Sequence, residues 1–268
     1  MNIPFFQVDA FANKAFIGNP AAVCMLEEWL PAEIMQKIAA ENNLSETAFL
    51  VKKAAGKYDL RWFTPEIEVD LCGHATLAAA YVIFECFNDV SDSLSFETAS
   101  GTLVVNKEKS DKKNGELLSM DFPARKPEPV ESNDLIVKAF GIEPIEVLKS
   151  RDLFVVFEDE KAVRDIKPDF DAIKQIKDSL AVIVTAKGDE VDFVSRFFAP
   201  NAGIDEDPVT GSAHCTLIPY WAEQLGKNEM HALQVSNRGG ELFCEHIGDR
   251  VKMAGKCALY AKGEIYFD

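Results

Sequence analysis

The sequence has little of what metal centres, membrane spans and secreted proteins require. Its four histidines and six cysteines include no Cys-x-x-Cys pair and no zinc-ligand spacing. No apolar stretch reaches the ~18 residues of a membrane-spanning helix, and the start of the chain lacks the basic and apolar segments of a signal peptide. We therefore expect a reduced, cytoplasmic protein with no metal and no membrane contact.

Positive charge is also scarce. The 28 Lys and Arg residues against 44 Asp and Glu residues give a net charge of −16. Such a surface repels phosphate backbones, so a nucleic-acid partner is not expected. A small ligand is not excluded, because a binding site can have its own local field.

The length of the chain suits two domains. It has 268 residues, 47% of them hydrophobic, which is enough apolar material for two ordinary cores. Residues 108–116 are charged and lack apolar side chains, so they are the best candidate for a linker. We expect an N-terminal domain over residues 1–112, with a last strand at 257–268 packing back on it, and a C-terminal domain over 113–256.

Two segments, one in each half, repeat one design. Residues 61–65 (RWFTP) are followed by 72–75 (CGHA), and residues 196–200 (RFFAP) are followed by 210–213 (TGSA). The aromatic pairs lie 135 positions apart and the glycines 138 apart, so the second copy has three extra residues in its loop. This spacing predicts two similar halves.

Many short apolar runs bounded by turn residues predict strands, whereas few segments predict helices. Residues 73–87 are apolar nearly all round, which is typical of a helix buried on every side. Further helices are expected over 31–42 and 211–225, the latter kinked at Pro219, which has no backbone N–H. The predicted fold class is α+β, with two pseudo-repeated domains, each a curled, mostly antiparallel sheet around one central helix.

Each copy of the repeat places a glycine turn at the start of a helix. Backbone N–H groups and the helix dipole bind anions there. Gly73 and Gly211 occupy the two turns, and His74 and Ser212 follow them. Taken singly, each turn is also explained by a tight chain reversal and by helix capping. The duplication favours a different interpretation, in which both turns face one cleft and hold a substrate carboxylate.

Two acidic residues are candidates for chemistry. Glu46 stands at the entry to an apolar strand, and its counterpart 135 positions further on is Ala181. Burial near a cleft raises the pKa of a carboxyl group, which suits general acid–base catalysis, although an ordinary ion pair also explains this position. Asp207 lies in the loop that breaks the repeat and is a candidate anchor for an amine or hydroxyl group, or only a partner for the first helical turn.

Cys72 precedes the first glycine turn, and the matching residue in the second copy is Thr210. Two facing thiols can racemise a substrate, but threonine cannot serve as a thiolate base. A symmetrical two-thiol mechanism is therefore not available, and Cys72 is interpreted as a small buried residue. An epimerase or dehydratase that uses Cys72 as one base remains an alternative.

The chain resembles the PhzF-like family of isomerases from phenazine biosynthesis. The resemblance is carried, in order and spacing, by residues 18–23 (GNPAAV), 44–49 (LSETAF), 70–74 (DLCGH), 197–200 (FFAP) and 206–213 (EDPVTGSA). It implies a fold like that of diaminopimelate epimerase, in which each of two similar domains wraps a sheet barrel around a central helix. The family often has proline after the histidine of the third block, where this chain has Ala75.

The resemblance implies a cofactor-free isomerase that moves a proton within a small carboxylated substrate, which in the phenazine enzyme is a dihydro-hydroxyanthranilate. It assigns acid–base catalysis to Glu46, with His74 and Asp207 as further catalytic residues. Substrate contacts are expected from Asn19, Gly73, Thr210, Gly211 and Ser212. A homodimer is the expected assembly. A family member that has lost its chemistry and acts as a binding or scaffold protein remains an alternative.

Overall fold

The computed structural model describes residues 2–108, 116–177 and 179–267. The chain divides into two compact units, one of Met1–Met120 with Ala254–Asp268 and one of Asp121–Met253. Most of the predicted linker at 108–116 lies outside the described residues, and so does the predicted boundary between 112 and 113.

The first unit begins with strands and two helices. They are β1 (Asn2–Ala10), β2 (Asn19–Leu26), α1 (Ala32–Asn42), β3 (Glu46–Ala54), β4 (Lys57–Phe63), β5 (Glu68–Val69), α2 (Gly73–Tyr81), β6 (Ser93–Thr98) and β7 (Gly101–Lys107). Strand β8 (Leu118–Pro123) contains the point where the chain leaves this unit.

The second unit has the same kinds of element with more helices. They are β9 (Glu128–Pro129), α3 (Asp134–Phe140), β10 (Glu146–Lys149), β11 (Leu153–Val156), α4 (Glu160–Asp165), α5 (Phe170–Gln175), β12 (Val182–Lys187), β13 (Phe193–Ala199), β14 (Ile204–Glu206), α6 (Gly211–Leu225), β15 (Glu229–Gln234), β16 (Gly240–Ile247) and β17 (Arg250–Gly255). Strand β18 (Cys257–Tyr266) returns to the first unit and pairs antiparallel with β1.

The order of strand pairing is the same in both units. In the first, β1–β2 is antiparallel, β2–β3 parallel, β3–β4 antiparallel, β4–β6 parallel and β6–β7 antiparallel. In the second, β10–β11, β11–β12, β12–β13, β13–β15 and β15–β16 follow the same alternation. The repeat seen in the sequence is thus a repeat of sheet topology, and the predicted α+β fold of two pseudo-repeated domains is confirmed.

Helix α2 is central to the first unit because it has no polar face. Its residues 74–80 are all buried, and the helix contacts β1, β2, β3, β7 and β18. A helix of this composition is stable only where other elements cover it on every side. The predicted helix ran to residue 87, whereas α2 ends at Tyr81 and Val82–Cys86 form a π-helical turn.

Helix α6 holds the matching place in the second unit. Residues 213–222 are buried, and the Trp221 ring stacks on Phe193 of β13. Trp221 Nε1 also donates to Thr185 Oγ1 of β12 at 2.9 Å. Pro219 lies inside the helix, and the kink expected there stays a prediction. None of the helices in the described residues is long and apolar enough to cross a membrane.

Three short helices of the second unit were not predicted from the sequence. Helices α3, α4 and α5 have seven, six and six residues, and the side chains of Asn133, Asp159 and Asp169 accept N–H hydrogen bonds at their starts. A helix of two turns or fewer is too short to show a 3.6-residue periodicity in the sequence. The three capping residues were the only features of the sequence that could have indicated these helices. The expectation of a single helix in this half was wrong.

One arginine in each repeat ties a long strand to its short antiparallel partner. Arg61 of β4 makes a two-point ion pair with Glu68 of β5, at 2.6 and 2.7 Å. Arg196 of β13 makes the same pair with Glu206 of β14, at 2.7 and 3.0 Å. Each guanidinium also lies over the phenylalanine ring two residues further along, 5.2 Å away in the first unit and 4.9 Å in the second. These pairs fix the hairpins that lead to the two glycine turns.

The paired arginines and glutamates also locate the insertion. Arg61 and Arg196 are 135 positions apart, whereas Glu68 and Glu206 are 138 apart. The three extra residues therefore precede Glu206, in the region where Pro200–Ala202 form a 3-10 turn. Asp207 follows the insertion instead of lying in it, which corrects its expected place in the repeat.

We expect the arginine of the second unit to matter more for stability. The Arg196 side chain is 10% exposed against 30% for Arg61, and its Nη1 also donates to the carbonyl oxygens of Val163 and Ile166. Arg196→Ala leaves Glu206 mostly buried and unpaired, so the free energy of unfolding should fall by about 3–5 kcal/mol. Arg61→Ala should lower the free energy of unfolding by about 0.2–1 kcal/mol. Urea unfolding of the two variants measures the difference.

Arg196→Lys serves as the milder variant if Arg196→Ala does not fold. Lysine keeps the charge but lacks the planar two-point geometry, so its loss should lie between those of the two alanine variants. Equal losses at the two arginines would contradict this ranking.

Candidate active site

Elements of the first unit bring four polar side chains together. Asn19 begins β2 and Glu46 begins β3, and these strands pair in parallel. Parallel neighbours start at the same edge of a sheet, so the two side chains lie at one edge. Cys72 and His74 flank Gly73 at the start of α2.

The Glu46 and His74 side chains are in contact in this cluster. Glu46 Oε2 lies 3.1 Å from His74 Nε2, with the side chains 15% and 7% exposed. On the other side of the imidazole, Nδ1 lies 3.3 Å from Asn19 Nδ2 and 3.6 Å from Cys72 Sγ. Ser45 Oγ donates to Asn19 Oδ1 at 3.3 Å. The structure thus brings Glu46, His74 and Asn19, all expected from the sequence, into one cluster.

The contact between Glu46 and His74 is close but not aligned as a hydrogen bond. Both atoms are buried, so neither has water to replace the missing alignment. Catalytic hydrogen bonds are often long or poorly aligned before substrate binds and tighten in the complex. The geometry is therefore that of a polar pair able to rearrange around a ligand.

Electrostatics favour the charged forms of this pair. Burial opposes ionisation of Glu46, but the charge of His74 and contacts from His74 and Cys72 outweigh it, so the pKa of Glu46 lies below its usual value. Burial also opposes the charge on His74, yet Cys72 and Glu46 raise its pKa well above its usual value. The expectation of a raised carboxyl pKa for Glu46 was wrong, because it considered burial and not the neighbouring imidazole.

Cys72 is part of the cluster, where the sequence favoured a small buried residue and kept a catalytic base as the alternative. It is buried as expected, and burial, with the charge of Glu46, raises the pKa of its thiol to about 11. The thiol is therefore protonated near neutral pH and is a poor base there. Atoms of Glu46, Cys72 and His74 that can ligate a metal all lie within 4.8 Å of one another.

A second group of polar side chains surrounds the start of α6. Thr210, the N-cap residue, donates from Oγ1 to Asp207 Oδ2 at 2.5 Å and from its backbone N–H to Gln234 Oε1 at 2.8 Å. Gln234 Nε2 donates to the Asp207 carbonyl oxygen at 2.8 Å. Gly211 opens the helix, and Ser212 is half-buried in its first turn. Asp207 and Thr210, both candidate site residues, are thus held together. The cleft expected to combine the two glycine turns stays a prediction.

Gln234 was missed by the sequence analysis. It is 1% exposed at the end of β15, 24 positions after Thr210. Both ends of its amide are used, and its Nε2 lies 3.2 Å from Thr210 Oγ1 as well. One glutamine at the end of a strand carries no signal of a partner so far away in the chain.

His214 repeats in α6 a contact that Thr76 makes in α2. Thr76 Oγ1 donates to the Cys72 carbonyl oxygen at 2.6 Å, and His214 Nδ1 lies 2.8 Å from the Thr210 carbonyl oxygen. A carbonyl only accepts, so Nδ1 carries the hydrogen. Burial outweighs this hydrogen bond and lowers the pKa of His214 to about 4.

Comparison with known proteins identifies the family. The model of phenazine biosynthesis-like proteins matches residues 8–263. An uncharacterised isomerase of Pseudomonas aeruginosa is 52% identical over 266 residues, which cover 99% of this chain and 100% of that protein. The chain belongs to the phenazine biosynthesis-like family. The resemblance inferred from its motifs is confirmed, and the protein is a PhzF-like isomerase.

Solved structures agree with this assignment. The crystal structure of a PhzF family protein of Enterococcus faecalis matches this isomerase with a TM-score of 0.95 and 50% identity, covering 100% of both chains. A hydroxyproline epimerase of Agrobacterium vitis matches with a TM-score of 0.62 over 98% of this chain and 92% of its own, at 10% identity. The second match shows a shared fold alone, consistent with the diaminopimelate epimerase-like architecture.

We expect Gln234→Leu to destabilise the PhzF-like isomerase. The substitution removes the acceptor for the Thr210 N–H and the donor to the Asp207 carbonyl, and buried groups without partners cost about 1–3 kcal/mol. Urea unfolding measures the loss. Gln36→Leu is the matched control, because the Gln36 side chain is less buried and makes one hydrogen bond within the described residues, to the Thr64 carbonyl at 2.8 Å. A Gln234→Leu loss no larger than the control's would argue against this role for the amide.

We also expect His214 to make stability depend on pH. Above about pH 6.5 the side chain is neutral in both states and contributes no pH dependence. As pH falls from 6.5 to about 4, the unfolded chain takes a proton that the folded protein excludes, so stability decreases. With about 1.4 kcal/mol per pKa unit, the total loss is about 3 kcal/mol.

His214→Thr is the variant that isolates this effect. Threonine copies Thr76, so the hydrogen bond to the carbonyl four residues back is retained while the titrating group is removed. The difference in unfolding free energy between wild type and variant should change over pH 4–6.5 by the amount given above. Parallel pH curves for the two proteins would show that His214 is not the source.

Proposed function

We propose that this isomerase moves a proton within a small carboxylated metabolite, with Glu46 as the acid–base group. The observation that supports the proposal is the 3.1 Å contact between Glu46 Oε2 and His74 Nε2 in a mostly buried cluster. A carboxylate held in this way accepts a proton from a carbon of the substrate. It then delivers a proton, either the one it took or one exchanged with solvent, to another carbon, so the reaction is balanced without a further reactant.

His74 has a role that follows from its charge. While Glu46 is ionised, the two opposite charges compensate one another in a buried place. When Glu46 takes the substrate proton, the imidazolium charge is left without its partner, which is costly at low exposure. The protonated glutamic acid is therefore short-lived, and its proton is delivered to the product and not kept by the enzyme.

The same electrostatics restrict the substrate. A carboxylate whose pKa lies below its usual value is a weak base. It can remove a proton only from a carbon whose C–H bond is already acidified, for example by conjugation with a carbonyl or an extended unsaturated system. A cyclic amino or hydroxy acid with such a system fits this requirement, and the dihydro-hydroxyanthranilate of phenazine biosynthesis is one member of that class.

The alternative with Cys72 as the base has less support. Its thiol has a pKa of about 11, raised first by burial and then by the charge of Glu46. Glu46 is ionised under conditions where Cys72 holds its proton, so the carboxylate is the stronger candidate. An epimerase or dehydratase that depends on the thiolate would require a ligand that lowers this pKa.

The other predicted residues remain part of the proposal. Substrate contacts are proposed for Asn19 and Gly73 in the first unit and for Thr210, Gly211 and Ser212 in the second. Asp207 is proposed as a further catalytic residue that orients a polar group of the substrate. The homodimer and the cytoplasmic location also stay predictions.

We expect Glu46→Gln to fold normally and to lose about 10²–10⁴-fold in turnover, because positioned acid–base catalysis contributes that much. The assay is deuterium uptake in heavy water followed by mass spectrometry, with a panel of cyclic amino and hydroxy acids that includes the dihydro-hydroxyanthranilate. Wild type should exchange or rearrange one member of the panel.

Glu41→Gln is the matched control for this experiment. Glu41 is an exposed residue of α1, so the same chemical change there should leave turnover unaffected. A well-folded Glu46→Gln protein that keeps wild-type turnover would falsify the assignment. Absence of exchange by wild type on every panel member would instead favour a non-catalytic family member or a substrate outside the class.

A further inference from the structure

The cluster around His74 combines the three types of side chain that ligate zinc. Glu46 contributes a carboxylate, Cys72 a thiol and His74 an imidazole, and one ligand atom from each lies within 4.8 Å of the others. Cys72 is 6% and His74 6% exposed. The sequence showed no zinc spacing because the ligands come from β3 and from the start of α2, 26 positions apart.

The distances in this cluster are close to those of a metal site. With Zn–S and Zn–N bonds of ~2.3 and ~2.0–2.1 Å and a tetrahedral angle, the sulfur and nitrogen would be separated by ~3.6 Å. Cys72 Sγ and His74 Nδ1 are 3.6 Å apart. Glu46 Oε2 lies 3.1 Å from Nε2, the other nitrogen of the ring, so the carboxylate would have to rotate toward Cys72 to share the metal. Asn19 Nδ2, 3.3 Å from Nδ1, would have to turn away.

We propose that Glu46, Cys72 and His74 form a binding site for Zn²⁺, and that zinc bound there inhibits the enzyme. Three protein ligands leave a fourth position for water, as in open zinc sites. The metal would occupy the carboxylate and the imidazole that the proposed reaction needs, so binding and turnover exclude one another.

The ligand set also matches the charge of zinc. A thiol gives up its proton to solvent when it ligates a metal. The Cys72 thiolate and the Glu46 carboxylate would then balance the two charges of Zn²⁺, so the occupied site would bear no net charge.

The test measures metal binding directly, with no substrate present. Chelator-treated wild type is titrated with CoCl₂, followed by absorption, and with ZnCl₂, followed by calorimetry. We expect one metal per chain, a thiolate-to-cobalt charge-transfer band and the release of protons. MgCl₂ should give no binding, because thiolate and imidazole ligands suit softer metals.

Cys72→Ser is the decisive variant, since it removes the sulfur and changes the shape little. It should lose the charge-transfer band and bind zinc at least tenfold more weakly, while Cys86→Ala, a partly exposed cysteine of the same unit, should behave as wild type. A wild-type protein without the band, or a Cys72→Ser protein that keeps it, would overturn the proposal.

Inhibition is measured separately and rests on the proposed function. Zinc should suppress the deuterium exchange catalysed by wild type, and a chelator should restore it. Zinc binding by a protein without turnover would support the metal site and count against the proposed reaction. Turnover by a protein that binds no zinc would do the reverse.

Discussion

The structure depends on the burial of one helix in each unit, and the first of these, α2, has no polar face. Residues 74–80 of α2 cannot be exposed to water at acceptable cost, so strands must cover the helix on all sides. Once the helix is enclosed, polar side chains from neighbouring elements meet it at its first turn. That is where Gly73 and His74 lie, and where β3 delivers Glu46. The site is therefore a consequence of how a fully apolar helix is packed.

The repeated arginine–glutamate pairs show how the same design is kept in both units while its chemistry diverges. Arg61 and Arg196 each hold a short strand against a long one, and each hairpin leads to a glycine turn. Apart from these strand pairs and glycine turns, the two units differ in their polar side chains. The first has an ionisable pair at its helix start, whereas the second has the Asp207–Thr210–Gln234 network, in which neutral hydrogen bonds dominate. Duplication preserved the topology and left the polar side chains free to change.

The Glu46–His74 contact decides what the first cluster can do. Burial alone would keep the carboxyl group neutral, and burial alone would keep the imidazole neutral. Together they favour the charged pair, because each charge compensates the desolvation of the other. The same closeness of carboxylate, imidazole and the Cys72 thiol makes the cluster suitable for a soft metal. One arrangement thus underlies both the proposed proton transfer and its proposed inhibition by zinc.

The sequence by itself determined the family, through the resemblance of its motifs, as well as the duplicated α+β fold and the buried apolar helix after Gly73. It also named Glu46 and His74 as candidate site residues, because motifs, spacing and apolar periodicity are local. It did not reveal α3 to α5, which are too short to show a period. Only the tertiary structure decided that Gln234 holds the Asp207 turn, that Cys72 touches His74, and that the pKa of Glu46 is lowered. Each of these depends on distances through space between side chains from separate elements, and such distances are not encoded in any single segment.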